Sequence, residues 1–101
     1  MELLTAELRA KLPPLYRQEN VADPLVYVKF FTPDSSWTWF VTEGEPDGDD
    51  FRFFGYVVGF EREWGYFMLS ELESARGPLG LPIERDLYFE PTPISKLRQN
   101  D

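Results

Sequence analysis

Five carboxylates, Glu43, Glu45, Asp47, Asp49 and Asp50, fall within one stretch of eight residues. Oxygen donors at that density are what hard cations such as calcium take as ligands. Neighbouring carboxyls can also share acid and base roles when their environments push their pKa values apart. The order E-G-E-P-D-G-D-D does not fit an EF-hand loop, which needs acids and a glycine at set offsets and a bidentate glutamate further on. Nothing in this Gly- and Pro-containing stretch singles out one acid, and Glu61, Glu63 and Glu71 are no better placed. The stronger expectation is a charged, solvated hairpin loop, which would also discourage unwanted pairing of sheet edges.

The chain has no Cys and no His. Disulfides, thiolate metal sites and thiol nucleophiles are therefore excluded. The usual general base near neutral pH and the ordinary nucleophilic triads are missing as well. A formal net charge of -8 opposes direct binding to nucleic acid, which draws its affinity from Lys and Arg releasing counterions. Pro13-Pro14-Leu15-Tyr16 fits the pattern read by proline-binding domains, but its neighbouring apolar stripe favours a packing role. Gly55-Tyr-Val-Val-Gly59 lacks the glycine density and downstream lysine of a phosphate loop.

Aromatic residues make up 17% of the 101 residues and hydrophobic residues 43%, a balance that disordered chains do not reach. One domain over residues 1–101 is expected. Thr5 can cap a helix to about Leu12, with Leu4, Leu8 and Leu12 on one stripe. Pro13 either ends it or opens a further turn carrying Leu15, Tyr16 and Gln18. Leu25–Phe31, Trp37–Thr42, Phe51–Phe60 and Trp64–Leu69 read as four strands. Short connections make them antiparallel. Ser70-Glu71-Leu72-Glu73 has the spacing of a capping box, Gly77-Pro78 stops that helix, Asp86–Phe89 is a candidate edge strand, and Ser95 a candidate helix start.

Alternation places Trp37, Trp39 and Val41 on one face of the second strand, with Thr38, Phe40 and Thr42 on the other. In the third strand Phe54, Tyr56 and Phe60 turn away from the Phe53 set. Either helices cover this second face, or an aromatic patch rimmed by acids remains to receive a basic or amphipathic segment. Burial is the general expectation for such stripes.

The run W-T-W-F-V-T-E-G-E-P-D-G-D-D-F-R-F-F-G-Y-V-V-G from Trp37 to Gly59, E-W-G-Y-F from Glu63 to Phe67, and L-G-L-P-I-E-R-D-L-Y-F from Leu79 to Phe89 resemble a small uncharacterised bacterial family. That family is catalogued only as a domain of unknown function and is associated with plasmids and other mobile elements. The resemblance implies a bacterial cytoplasmic setting and an accessory role, and supplies no catalytic residues. No signal peptide is expected from the opening residues, and no run approaches the roughly 18 apolar residues of a membrane span.

These observations define an expected α+β domain, an antiparallel meander of about four strands with short flanking helices. The expected function is that of a noncatalytic acidic module without cofactor or metal. Glu43, Glu45, Asp47, Asp49 and Asp50, together with Phe40, Phe54 and Tyr56, would dock a protein partner with a basic surface. One version of this is a DNA mimic that blocks a host nucleic-acid-binding protein. The alternative is a carboxylate-dependent metal-binding hydrolase acting on phosphate esters.

Overall fold

In a computed structural model, which describes residues 1–98, Thr5 caps α1 (Ala6–Lys11) by accepting the Leu8 amide at 3.2 Å. The strands are β1 (Leu25–Val26), β2 (Val28–Phe31), β3 (Thr38–Asp47), β4 (Asp50–Val58) and β5 (Arg62–Met68). They are followed by α2 (Leu69–Ser74), β6 (Glu84–Arg85), β7 (Thr92–Pro93) and α3 (Ile94–Leu97). The main sheet is antiparallel and has five strands in the order β5-β4-β3-β2-β6. The expected four-strand meander is present as β2 to β5, and β6 adds the fifth strand beside β2.

Several elements differ from expectation for local reasons. The first strand divides at Tyr27, because β1 leaves the main sheet to pair with β7. The edge strand forms at Glu84–Arg85, before Asp86–Phe89. The helix after β5 starts at Leu69, and its opening amide, that of Met68, donates to the Glu71 carboxylate at 2.8 Å. Ser70 is therefore inside α2, and its hydroxyl donates to Asp50. No helix forms at Leu15–Gln18; the chain there makes successive turns, with Tyr16 at φ 72°.

The largest difference lies in the acidic stretch. β3 continues through Glu43 and Glu45 to Asp47, and only Gly48 and Asp49 form the turn. Gly48 takes φ 59°, as the first position of a tight hairpin turn of the II′ kind requires. A bulge between Val41 and Glu43 explains how acids continue an aromatic strand. Without the extra residue Glu43 would share the face of Trp39 and Val41. With it, Glu43 lies opposite Phe54 and Gly44 opposite Phe53, so the carboxylates move to the other face and glycine meets the core.

The core lies on that glycine-bearing face. Phe30, Val41, Phe51, Phe53 and Phe67 pack with Leu3, Leu4 and Leu12, which flank α1, and with Leu69 and Leu72 of α2. The Phe53 ring contacts Phe30 at 5.6 Å and Phe67 at 5.5 Å between centroids, separations typical of favourable aromatic pairs. The opposite face has a smaller cluster of Val26, Tyr56 and Ile94, onto which Phe40, Val58 and Leu97 pack. The β1–β7 pair fixes α3 over this end. The Asp23 carboxylate accepts the amide and hydroxyl of Ser95 at 2.9 and 2.6 Å, and these bonds hold it below the usual carboxylate range.

Candidate functional site

Two prolines interrupt the chain after α1, and the residues that follow have no ladder to satisfy their amides. The acidic strand supplies the acceptors instead. Glu43 is 4% exposed and accepts the amides of Tyr16 at 2.9 Å and Gln18 at 2.6 Å. Glu45 accepts the amide of Leu15 at 2.9 Å, and the Gly44 amide donates to the Pro13 carbonyl at 2.9 Å. Gln18 completes the seam, its side chain donating to the Leu25 and Thr42 carbonyls and accepting the Leu25 amide. Segment 13–18 is thereby fastened along β3.

The solvated-loop expectation is thus corrected residue by residue. Glu43 and Glu45 are fasteners. Asp50 accepts the Phe51 amide at 2.8 Å and both donors of Ser70, joining the hairpin tip to α2. Asp47 pairs with Arg52 at 2.9 Å. Asp49 remains exposed in the turn. Among the described residues no three carboxylates gather into a group able to hold a metal ion.

Asp50 is held below the usual aspartate range, chiefly by the Ser70 hydroxyl and then by the Phe51 amide. A carboxyl depressed in the folded state stabilises the fold above its unfolded value, near 3.9, and that contribution is lost as pH falls through the lower folded value. The variant Ser70→Ala is accordingly expected to show a shallower fall of denaturant midpoint below about pH 4 than the parent chain. Urea titrations from neutral pH into acid check this. Parallel curves for the two proteins would contradict it.

Phe40, Phe54 and Tyr56 have different fates. Tyr56 is only 3% exposed, beneath β1 and α3, and Phe40 packs half-buried against the same cluster. Phe54 lies beyond this cover. Its ring stacks on Trp64 at 5.7 Å with 13° between planes and meets Tyr66 at 4.9 Å. Trp64 is 36% and Tyr66 51% exposed. Phe60 leaves the face altogether, because β4 ends at Val58; it is 95% exposed and edge-on to Trp37.

The uncovered end is a half-open groove of about 370 Å³, within the size range of small-ligand sites. Phe54, Trp64 and Tyr66 supply its aromatic lining, the 16–21 segment adds Tyr16, Gln18, Glu19 and Val21, and Thr42 and Glu43 contribute from β3. Ile94 and Arg98 close the α3 end, with the Arg98 guanidinium 4.9 Å from the centre of the Tyr56 ring. The Tyr66 phenol is held above the usual tyrosine range, first by its hydrogen bond with Tyr16, then by burial, with the Glu43 and Glu19 carboxylates adding to it. Trp64, Tyr66 and Gln18 were not singled out as site residues by sequence. The alternation of Trp64 and Tyr66 across Gly65 carried the signal for the first two.

A small α+β domain with one sheet face sealed and the other half-covered is defined by these features. The chain belongs to the DUF2958 family of proteins of unknown function, whose model matches residues 3–99. No curated protein and no solved structure matches the chain. No helix among the described residues is long and apolar enough to cross a membrane.

Proposed function

We propose that this domain is a noncatalytic recognition module of the bacterial cytoplasm whose aromatic groove receives a cationic side chain from a basic protein segment. The observation that carries this reading is the cluster of Phe54, Trp64 and Tyr66 in a groove whose lining also includes the carboxylates Glu19 and Glu43. A guanidinium or ammonium group over such rings gains about 0.5–2 kcal/mol, most where water is excluded. The chain's net charge of -8 adds a long-range attraction that salt weakens. An accessory role in a mobile element, which the sequence resemblance implies, suits a module of this size.

This reading keeps the basic partner and moves its docking site from the hairpin tip to the groove. A DNA mimic would need its carboxylates displayed, whereas Glu43, Glu45 and Asp50 are occupied by amide and hydroxyl donors. Metal-dependent hydrolysis would need a converging donor set, and the described carboxylates do not form one.

Calorimetric titration with a capped seven-residue peptide alternating arginine and valine tests the proposal. Saturable binding is expected, weakening with added salt and falling roughly 5–10-fold in Trp64→Ala, the equivalent of about 1 kcal/mol or more. Binding that ignores the Trp64 substitution would refute the groove as the site. Failure of the peptide to bind at all would refute cationic recognition.

A further inference from the structure

The main sheet has two ends of unequal character. At one end β6 is two residues long, and the neighbouring chain start covers it: the Arg85 guanidinium donates to the Glu2 and Leu3 carbonyls at 2.8 and 3.0 Å. At the other end β5 runs for seven residues with β4 on one side and no described strand on the other. Such an edge leaves backbone donors and acceptors open to another chain. Natural edges are commonly protected by Pro, Lys, a bulge or a covering element. β5 contains neither Pro nor Lys, its charged residues Arg62 and Glu63 are confined to its first two positions, and its register with β4 runs without a shift from Arg52↔Met68 to Val58↔Arg62.

The side chains on this edge connect it to the groove. Trp64 lies opposite Tyr56, and Tyr66 opposite Phe54, so both stand on the groove face and line it. Glu63 and Phe67 stand on the other face, opposite Val57 and Phe53. A strand laid beside β5 would set alternate side chains next to Trp64 and Tyr66, at the mouth of the groove. Its remaining side chains would lie beside Glu63 and Gly65. At Gly65 a Cβ would meet nothing within 4 Å, so the sheet face beside the edge is open there.

We infer that the partner's basic segment binds as an extended strand added to β5, its main chain pairing with this edge while alternate cationic side chains enter the groove beside Trp64 and Tyr66. This rests on the groove reading and specifies how the partner lies. Charge selects the occupant. A second copy would bring another -8 to the same edge, while a basic strand meets Glu63 beside the edge and Glu19 and Glu43 in the groove lining, against the two cations on that face, Arg62 and Arg98. Main-chain pairing supplies affinity with little demand on sequence, and the alternating side chains supply selectivity.

The test uses the full chain, the capped arginine–valine peptide, and the same peptide with alternate backbone amides N-methylated. Amide hydrogen exchange is followed across Arg62–Met68. Strand addition predicts slowed exchange at alternate β5 amides on peptide binding and a loss of about tenfold or more for the methylated peptide placed to block pairing, since several net hydrogen bonds disappear. Both methylation registers are made, so one of them blocks whichever amides face the edge. If the unmodified peptide binds in a Trp64-dependent way but β5 exchange is unchanged and both methylated forms bind equally well, strand addition is overturned and the groove reading survives. Absence of any cationic-peptide binding overturns both. If β5 amides of the free protein become protected as its own concentration rises, the edge belongs to a second copy and the basic-strand occupant is wrong.

Discussion

Glu43→Ala is expected to lower stability by about 2–4 kcal/mol, whereas Asp49→Ala stays within about 0.5 kcal/mol of the parent. The two acids lie six positions apart in the same short stretch, yet only one of them is built into the fold. Glu43 accepts two amides, from Tyr16 and Gln18. Hydrogen bonds to a charged group contribute roughly 1.5–3 kcal/mol each. Alanine leaves both donors without their acceptor, although the exposed setting of Tyr16 lets water recover part of the loss. In a domain near 100 residues this corresponds to a fall in Tm of roughly 10–20 °C. Glu43→Gln keeps one acceptor oxygen and should fall between. Thermal and urea unfolding of the three variants decides the matter. Equal small effects at Glu43 and Asp49 would return the acidic stretch to a solvated surface feature.

Gly55→Ala is the second large effect, about 3 kcal/mol or more, with Gly65→Ala as its contrast. The two glycines face each other across β4 and β5. A Cβ on Gly55 would stand 2.1 Å from the Phe40 carbonyl oxygen and 2.9 Å from its carbon. Those are backbone atoms of a paired neighbouring strand, so no side-chain rotation relieves the clash. β4 cannot withdraw either, because β5 holds its other side. Overpacking of this kind typically costs 1–3 kcal/mol and more where the backbone must move. At Gly65 there is open space, and alanine should be neutral or mildly stabilising by about 0.5 kcal/mol through the unfolded chain. Denaturant midpoints with unchanged slopes would check both. Comparable losses at the two sites would mean that the β3–β4 approach is looser than described.

Much of the architecture was legible because periodicity and punctuation agreed. The cap Thr5 and the Leu4, Leu8 and Leu12 stripe marked α1, and the aromatic runs marked four strands of the sheet. β6 was displaced by two residues from its expected place, since Pro82-Ile83-Glu84-Arg85 has little strand character apart from its neighbour β2. The acidic stretch was misread for one physical reason. Strict alternation carried past Val41 would put Glu43 among the core aromatics. A single-residue bulge reverses the alternation and sends the acids to the other face. Asp47-Gly48 was the available signal for a tight hairpin rather than a loop. The purpose of Glu43 and Glu45 could not be read locally, because their partners lie 25 to 30 residues earlier.

The aromatic residues divide along similar lines. Alternation placed Phe40, Phe54 and Tyr56 on one face, but no local pattern says that α3 covers Tyr56 and stops short of Phe54. That boundary depends on the β1–β7 pairing and the Asp23–Ser95 bonds across 72 residues. The sheet is therefore sealed at one end and open at the other, and the open end is the groove.

Residue-resolved backbone shifts during titration with the arginine–valine peptide test recognition in the groove most directly. The largest saturable changes should fall on Gln18, Thr42, Phe54, Trp64 and Tyr66, and in Trp64→Ala the remaining ones should move together to roughly 5–10-fold higher peptide concentration. Changes centred instead on Asp47, Gly48 and Asp49, and persisting in that variant, would place recognition at the hairpin tip and contradict the groove.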